Sequence, residues 1–184
     1  MTEAIKTLFD EHEVIMEAIH LAKQSEELIN EDETQYEQVI RSLIKFFRYY
    51  ADGYHHHKEE QILFPEMSKM NELLEDGVIK EMLENHEDFR DMISNIEQLL
   101  NAKEYHKAQQ QLNKYTEAML DHIAVENDEV FHSAETLLDE DELEKMNFRF
   151  MDCDREVGDE IANKIKQSKA QLVEELSELK KQFI

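Results

Sequence analysis

The 184-residue chain is strongly acidic, with 44 Asp and Glu against 20 Lys and Arg and a formal net charge of −24. This charge argues against nucleic acid or an anionic membrane surface as a partner, because both are themselves negatively charged. Only three glycines and one proline interrupt a sequence that is 41% hydrophobic and 35% charged. Scarce turn residues and abundant helix formers predict an all-α protein of one domain with a sizeable core.

Cysteine content and apolar runs bear on the location of the protein. Cys153 is the only cysteine, so the chain can form neither an internal disulfide nor a thiolate metal cluster. The amino-terminal stretch MTEAIKTLFDEHEV has no apolar signal-peptide core, and no apolar run approaches the length of a membrane span. We therefore expect a cytoplasmic protein without a membrane partner.

Four long helices are predicted in chain order, forming an up-and-down four-helix bundle. The first runs from a cap at Thr2 to about residue 29, and the second from about residue 34 to 64, where Pro65 marks its last turn or a break. The third runs from about residue 78 to 100, and the fourth from about 104 to 134. Short connections between them favour antiparallel neighbours.

The carboxyl-terminal part of the chain differs from the bundle. It opens with the acidic stretch 139–142 and then carries apolar residues at helical spacing, which predicts one or two helices with a break near Gly158. We therefore divide the chain into a bundle of residues 1–136 and a C-terminal helical extension of residues 137–184. The extension packs either on the bundle or on a partner, and the second arrangement would give a homodimer.

Histidines at the middle of the predicted helices are the main functional signal. His56 and His122 each begin an H-x-x-x-E step, and residues four apart lie on one face of an α-helix. Their distances from the connecting turns place the four histidines in one layer of the bundle. The sequence predicts a site for two metal ions, whose protein ligands are His12, His56, Glu60, His86, His122 and Glu126.

The remaining histidines and nearby carboxylates receive other assignments. His55 and His57 lie about 100° to either side of His56 on an α-helix, so solvent or neighbouring helices are their expected partners. Glu59 and Glu129 are the competing carboxylates, and Glu129 stays near the face of His122. The histidines expected at the surface are His20, His106 and His132.

Two tyrosines are expected to line the same site. Tyr49 and Tyr115 stand seven residues before His56 and His122, which is about two turns along one face of an α-helix. A phenol in this position can donate a proton or a hydrogen bond to a bound ligand. We therefore treat both tyrosines as candidate catalytic residues.

Mixed nitrogen and oxygen ligands restrict the metal and its chemistry. Imidazole and carboxylate suit iron, manganese, zinc or copper, whereas calcium and magnesium prefer oxygen alone. Two carboxylates between two pairs of histidines can bridge both ions, and six ligands shared by two ions leave open positions. Open positions on a redox-active pair indicate chemistry with dioxygen, peroxide or nitric oxide.

At HHHKEEQILFPEM, ENHEDF and HIAVENDEVF the sequence resembles the hemerythrin-like family, also called the HHE cation-binding domain, over about residues 1–136. The resemblance implies a four-helix bundle around a non-haem di-iron centre, with manganese or zinc as less favoured metals. By motif it assigns one histidine to each helix and makes the glutamates of the second and fourth helices, Glu60 and Glu126, the bridges between the ions.

Two departures from the oxygen-carrying hemerythrins affect the expected function. Those proteins have two histidines four apart on the third helix, whereas Met82 stands four residues before His86 here. They also end with H-x-x-x-x-D, whereas this chain has H-x-x-x-E. The departures favour a protein of oxidative or nitrosative stress that binds and reduces dioxygen, peroxide or nitric oxide. A non-enzymatic sensor, or an iron reservoir for iron–sulfur cluster repair, is the alternative.

Overall fold

The computed structural model describes residues 1–156, with side chains as far as Cys153. Within that range the chain is helical, without a β-strand. We number the long helices α1 (Glu3–Gln24), α2 (residues 33–70), α3 (Val78–Asn101), α4 (residues 105–137) and α5 (Glu140–Glu156). The predicted all-α bundle is therefore confirmed.

Short segments connect the first helices. A 3-10 turn (Ser25–Glu27) and a short helix (Leu28–Glu31) follow α1. Asp32 then caps α2, because its side chain accepts hydrogen bonds from the backbone amides of Thr34 and Gln35, both at 3.0 Å. Thr2 occupies the cap position of α1, although its side chain makes no capping hydrogen bond.

Two of the long helices contain π-helical segments. Helix α2 is π-helical over Phe47–His56 and Glu59–Leu63, and α4 is π-helical over Glu126–Val130. A π-helix bonds residue i to i+5, so one turn takes in nearly one residue more than the 3.6 of an α-helix. Side chains in and after such a segment therefore face other directions than an α-helical wheel predicts.

Pro65 does not end the second helix, which corrects the prediction that α2 stops at about residue 64. The proline lies in the first turn of the α-helical segment Phe64–Met70, directly after a π-helical segment. A missing N–H is tolerated at that position, and the fixed φ of proline suits it. The helix therefore continues to Met70.

Two apolar cores fill the bundle, and the buried histidines lie between them. The first core joins the second half of α1, the first half of α2, the second half of α3 and the first half of α4. The second core joins the start of α1, the end of α2, the start of α3, the end of α4 and α5. Polar groups placed between two such cores are shielded from bulk water at both ends of the bundle.

Helix α5 covers the second core. Leu143, Met146 and Phe150 are buried on this helix, whereas Phe148 is 57% exposed. Arg149 reinforces the contact by donating to Glu66 of α2. Helix α5 therefore packs on the bundle as far as Cys153, while the predicted break near Gly158 lies outside the described residues. A homodimer formed through the extension remains a prediction.

Replacing Phe150 by Ala is expected to lower the free energy of unfolding by about 3–5 kcal/mol, because it empties a buried phenyl site in the second core. Phe148→Ala on the same helix is the matched control, and it should change the stability by no more than about 0.5 kcal/mol. Denaturant unfolding followed by circular dichroism measures both. Equal stability of the two variants would contradict the packing of α5 described above.

Candidate metal centre

Seven side chains from four helices meet between the two apolar cores. They form a three-histidine group (His56, His86 and His122) and a mixed group (His12, His55, Glu59 and Glu126). Within each group, one ligand atom from each residue lies within 4.8 Å of the others. All seven residues are at most 2% exposed. Each group could therefore hold a metal ion out of contact with bulk water.

The two carboxylates lie between the groups. Glu59 places Oε1 3.5 Å from Nε2 of His55 and Oε2 3.7 Å from Nε2 of His86. The same pattern holds for Glu126, whose Oε2 lies 3.2 Å from Nε2 of both His12 and His122. Each carboxylate thus faces a histidine of both groups, which is the placement that a bridging ligand requires.

The outer nitrogen of each histidine faces a polar side chain. Nδ1 of His12 lies 2.8 Å from Asn127, Nδ1 of His55 lies 2.8 Å from Glu11, and Nδ1 of His86 lies 2.9 Å from Glu60. The distance is 3.5 Å from Nδ1 of His56 to Asp52 and from Nδ1 of His122 to Asn85. Because an ionised carboxylate can only accept, Nδ1 of His55 and of His86 carries the proton and Nε2 keeps its lone pair. Histidines that bind metals are typically held in this way.

Several inward-facing atoms have no hydrogen-bond partner among the described residues. They are Nε2 of His12 and His55 and both carboxylate oxygens of Glu59 and Glu126. The short contacts of Glu126 with two histidines therefore lack hydrogen-bond geometry. A buried polar atom without a partner costs about 1–3 kcal/mol, and such atoms are rare in folded proteins. Cations that accept nitrogen and oxygen ligands would satisfy all six atoms, so the donor set fits a pair of metal ions.

Electrostatics at the site also favour bound cations. Burial, together with Glu126 and Glu11, raises the pKa of Glu59 well above its ordinary value. Burial acts on Glu126 in the same direction, but His122 and His12 hold its pKa well below its ordinary value. Burial and neighbouring imidazoles lower the pKa of His55 well below 6.5, so this histidine is neutral and can donate a lone pair.

A buried lysine balances the negative charge of Glu11, the carboxylate that contacts Nδ1 of His55. Nζ of Lys58 donates to Oε1 of Glu11 at 2.6 Å, and burial still raises the pKa of Glu11. The same ammonium lies 3.7 Å from the ring centre of Tyr54 and 5.8 Å from that of Phe150 on α5. The C-terminal extension therefore contributes to the surroundings of His55.

One predicted ligand lies outside both groups. The structure brings His12, His56, His86, His122 and Glu126 together as predicted, but it places Glu59 rather than Glu60 between the groups. Oε1 of Glu60 instead accepts from Nδ1 of His86 at 2.9 Å and from Arg90 at 2.6 Å. The physical reason is that HHHKEE contains two overlapping H-x-x-x-E steps, and the π-helical turns of α2 direct the earlier step inward.

The sequence predicted solvent or a neighbouring helix as the partner of His55. The structure gives it such a partner, Glu11 of α1, but it also brings His55 into the site. Its ring belongs to the mixed group and is 1% exposed. An α-helical wheel separates two adjacent histidines by about 100°, whereas a π-helical turn narrows that angle. His55 can then face the mixed group while His56 faces the three-histidine group. The histidines predicted at the surface, His20, His106 and His132, are exposed. His57 and Glu129 are exposed as well.

The two candidate tyrosines occupy different environments. Tyr115 is 1% exposed, whereas Tyr49 lies at the surface and is 36% exposed. The π-helical segment between Tyr49 and His56 is the cause, because seven residues span fewer turns there than in an α-helix. We therefore no longer expect Tyr49 to contact a bound ligand.

A cavity of about 290 Å³ opens beside the three-histidine group. Its walls include His56, Phe89 and Tyr115, and Arg48 and Arg90 also line it. Burial, with Asp52 as a smaller contribution, raises the pKa of Tyr115 well above its ordinary value, so its phenol keeps its proton. The cavity places this hydroxyl-bearing side chain beside a predicted ligand histidine.

The sequence comparison identifies the family to which this arrangement belongs. A family model described as the hemerythrin HHE cation binding domain matches residues 3–134. The chain belongs to this family. No significant match was found among curated proteins or among solved structures. The hemerythrin-like match spans the four helices that carry the seven buried side chains of the two groups. Every helix within residues 1–156 is too short or too polar to cross a bilayer.

In this hemerythrin-like chain, Met82 does not leave the group around His86 short of a histidine. Met82 is fully buried in the second apolar core, four residues before His86. His56, from α2 rather than α3, completes a group of three histidines with His86 and His122. Adjacent histidines followed four residues later by adjacent glutamates were the signal in the sequence that a second H-x-x-x-E step was available.

Proposed function

We propose that this hemerythrin-like protein holds two iron ions and that it binds and reduces a small oxidant: dioxygen, peroxide or nitric oxide. The observation that carries the proposal is that Glu59 and Glu126 each face histidines of both groups. The proposed ligands are His56, His86 and His122 for one ion, His12 and His55 for the other, and the two glutamates for both. Five imidazoles with two carboxylates suit iron, and manganese and zinc are less favoured.

When bound, the iron pair would supply electrons and open coordination positions to the small molecule. The protein residues decide how those positions are distributed. Three histidines would hold one ion and two would hold the other, so the ion of the mixed group would keep more positions open to an external ligand. This differs from the two pairs of histidines expected from the sequence, because His55 provides a fifth imidazole.

Burial restricts the molecules that can reach the ions. The ring of Phe131 stacks on His12 with centroids 5.2 Å apart, and Phe89 packs edge-on against His122 at 5.2 Å. Small uncharged molecules can pass such walls during local motions far more readily than larger reductants and chelators. This enclosure favours a small oxidant over an iron reservoir, whose ions must leave the site readily.

Tyr115 is the residue we propose as a hydrogen-bond or proton donor to an oxidant that enters through the cavity beside the three-histidine group. It is buried, it lines the cavity that reaches His56, and its raised pKa keeps the phenol protonated. A donor in a water-excluded site can stabilise negative charge that develops on a small oxidant. A cytoplasmic location also remains part of the proposal.

Metal analysis of protein purified without oxygen, followed by separate additions of dioxygen, nitric oxide and peroxide, tests this function. We expect about two iron ions per chain and repeated consumption of one oxidant when a reductant is present. A sensor would bind one equivalent without turnover. A single zinc ion per chain would contradict the proposal. Release of intact dioxygen under argon would instead indicate reversible oxygen binding. This outcome must be tested, because His56 gives the first group a third histidine although Met82 replaces the one that oxygen carriers have on the third helix.

A further inference from the structure

Arg90 connects two carboxylates that each approach a histidine of the three-histidine group. Its Nε donates to Oδ1 of Asp52 at 2.8 Å, and its terminal nitrogen donates to Oε1 of Glu60 at 2.6 Å. Asp52 lies 3.5 Å from Nδ1 of His56, and Glu60 lies 2.9 Å from Nδ1 of His86. One guanidinium of α3 is therefore linked to histidines on both α2 and α3.

We propose that Arg90 is a positioning residue that fixes the Nδ1–H tautomer of His86 through Glu60 and the orientation of His56 through Asp52. It thereby sets how tightly the three-histidine group holds its metal, a role that rests on the proposed function. Arg90 does not touch the ligand atoms of either group, so it acts only through Asp52 and Glu60.

The spacing of these residues explains why an arginine is required. Asp52 and Glu60 stand four residues before and four residues after His56 on α2, and Arg90 stands four residues after His86 on α3. Two carboxylates so close to each other repel unless a cation lies between them. The planar guanidinium offers several donors in fixed directions and can hold both, whereas a lysine ammonium is a compact point charge.

The packing of the two histidine rings makes their orientation sensitive to this support. The rings of His56 and His86 are stacked, with centroids 3.8 Å apart and planes inclined by 9°. At its outer nitrogen, His86 is hydrogen-bonded to Glu60, and His56 lies 3.5 Å from Asp52 without hydrogen-bond geometry. Arg90 binds both carboxylates. Loss of Arg90 would free both carboxylates to turn toward solvent, since Asp52 and Glu60 are 31% and 18% exposed.

Arg48 provides a matched control for the charge of Arg90. It lines the same cavity and is similarly exposed, at 38% against 40% for Arg90. Arg48 donates to Glu97 at 2.6 Å, and Glu97 is outside the chain of contacts described above. Removing Arg48 therefore deletes one positive charge beside the cavity without affecting the carboxylates beside His56 and His86.

The experiment compares full-length wild type with Arg90→Gln, Arg90→Lys and Arg48→Gln, after circular dichroism has shown equal helix content. The first readout is the rate of iron loss to a ferrous chelator from protein loaded with Fe(II). The second is the solvent exchange of the Nδ1 proton of His86, followed by NMR on protein labelled with ¹⁵N-histidine. We expect Arg90→Gln to lose iron about 10–100-fold faster and to exchange this proton faster. Arg48→Gln should match wild type, and Arg90→Lys should fall between.

Equal behaviour of Arg90→Gln and Arg48→Gln in both readouts would overturn the proposal. Faster iron loss with unchanged proton exchange would also overturn it, because Arg90 would then act by charge alone. If wild type binds no iron, the proposed function fails, whereas the proton exchange still decides whether Arg90 holds His86 through Glu60.

Discussion

Replacing Glu59 by Ala is expected to lower the metal content from roughly two ions per chain to less than one. The carboxylate faces His55 of the mixed group and His86 of the three-histidine group, so its removal takes a ligand from both ions. It also leaves a buried space where the negative charge had balanced the cations. Elemental analysis after gel filtration of iron-loaded protein measures the result.

Glu60→Ala is the matched control for this experiment, because it removes the same side chain one residue further along α2. Glu60 is the position that the α-helical wheel selects, but its carboxylate contacts Nδ1 of His86 and Arg90 instead of facing both groups. We expect this variant to keep roughly two ions, held less tightly. If Glu59→Ala kept its metal and Glu60→Ala lost it, the bridge would be Glu60, as the sequence predicted, and not Glu59.

His55→Ala is expected to lose the ion of the mixed group and to retain about one ion per chain. The mixed group contributes only two histidines, and His12 alone cannot hold an ion there as firmly. His57→Ala should retain both ions, because His57 is exposed on the same helix. Elemental analysis and the optical spectrum of iron-loaded protein distinguish the two variants. Equal metal content in both would mean that His55 is a packing residue.

The number of helices, their approximate limits and most of the buried ligands follow from simple periodicity. Long amphipathic stretches predicted the bundle, and one histidine per helix at matched heights predicted a shared site for His12, His86 and His122. An error in the assumed number of residues per turn matters little for these three histidines, because each was the single candidate on its own helix. The H-x-x-x-E step at His122 and Glu126 was equally clear, since the sequence offers no overlapping alternative nearby.

The second helix shows why the remaining ligands could not be assigned. HHHKEE offers two registers, and the choice between His55 with Glu59 and His56 with Glu60 depends on the number of residues per turn. The prediction assumed an α-helix throughout, whereas the structure is π-helical on both sides of Lys58. The same assumption placed Tyr49 on the face of His56. Local sequence does not encode the π-helical turns plainly, because packing against the other helices stabilises them.

The sequence also could not predict which side chains of different helices contact each other. Glu11 of α1 holds His55 of α2, and Asn127 of α4 holds His12 of α1. Each pair is distant in sequence, so its members become neighbours only once the bundle is packed. The position of Phe150 near Lys58 is a similar case, since periodicity predicted an apolar face on the extension but not the surface that it covers.

Anomalous diffraction at the iron edge, from crystals of the full-length protein loaded with iron, would locate the proposed ions. We expect two peaks per chain, one beside His56, His86 and His122 and one beside His12 and His55. Oxygen atoms of both Glu59 and Glu126 should lie about 2.0–2.2 Å from each peak, as carboxylate ligands do. A single peak, or two peaks joined by Glu60 while His55 stays uncoordinated, would show that the proposed pair of iron ions is wrong.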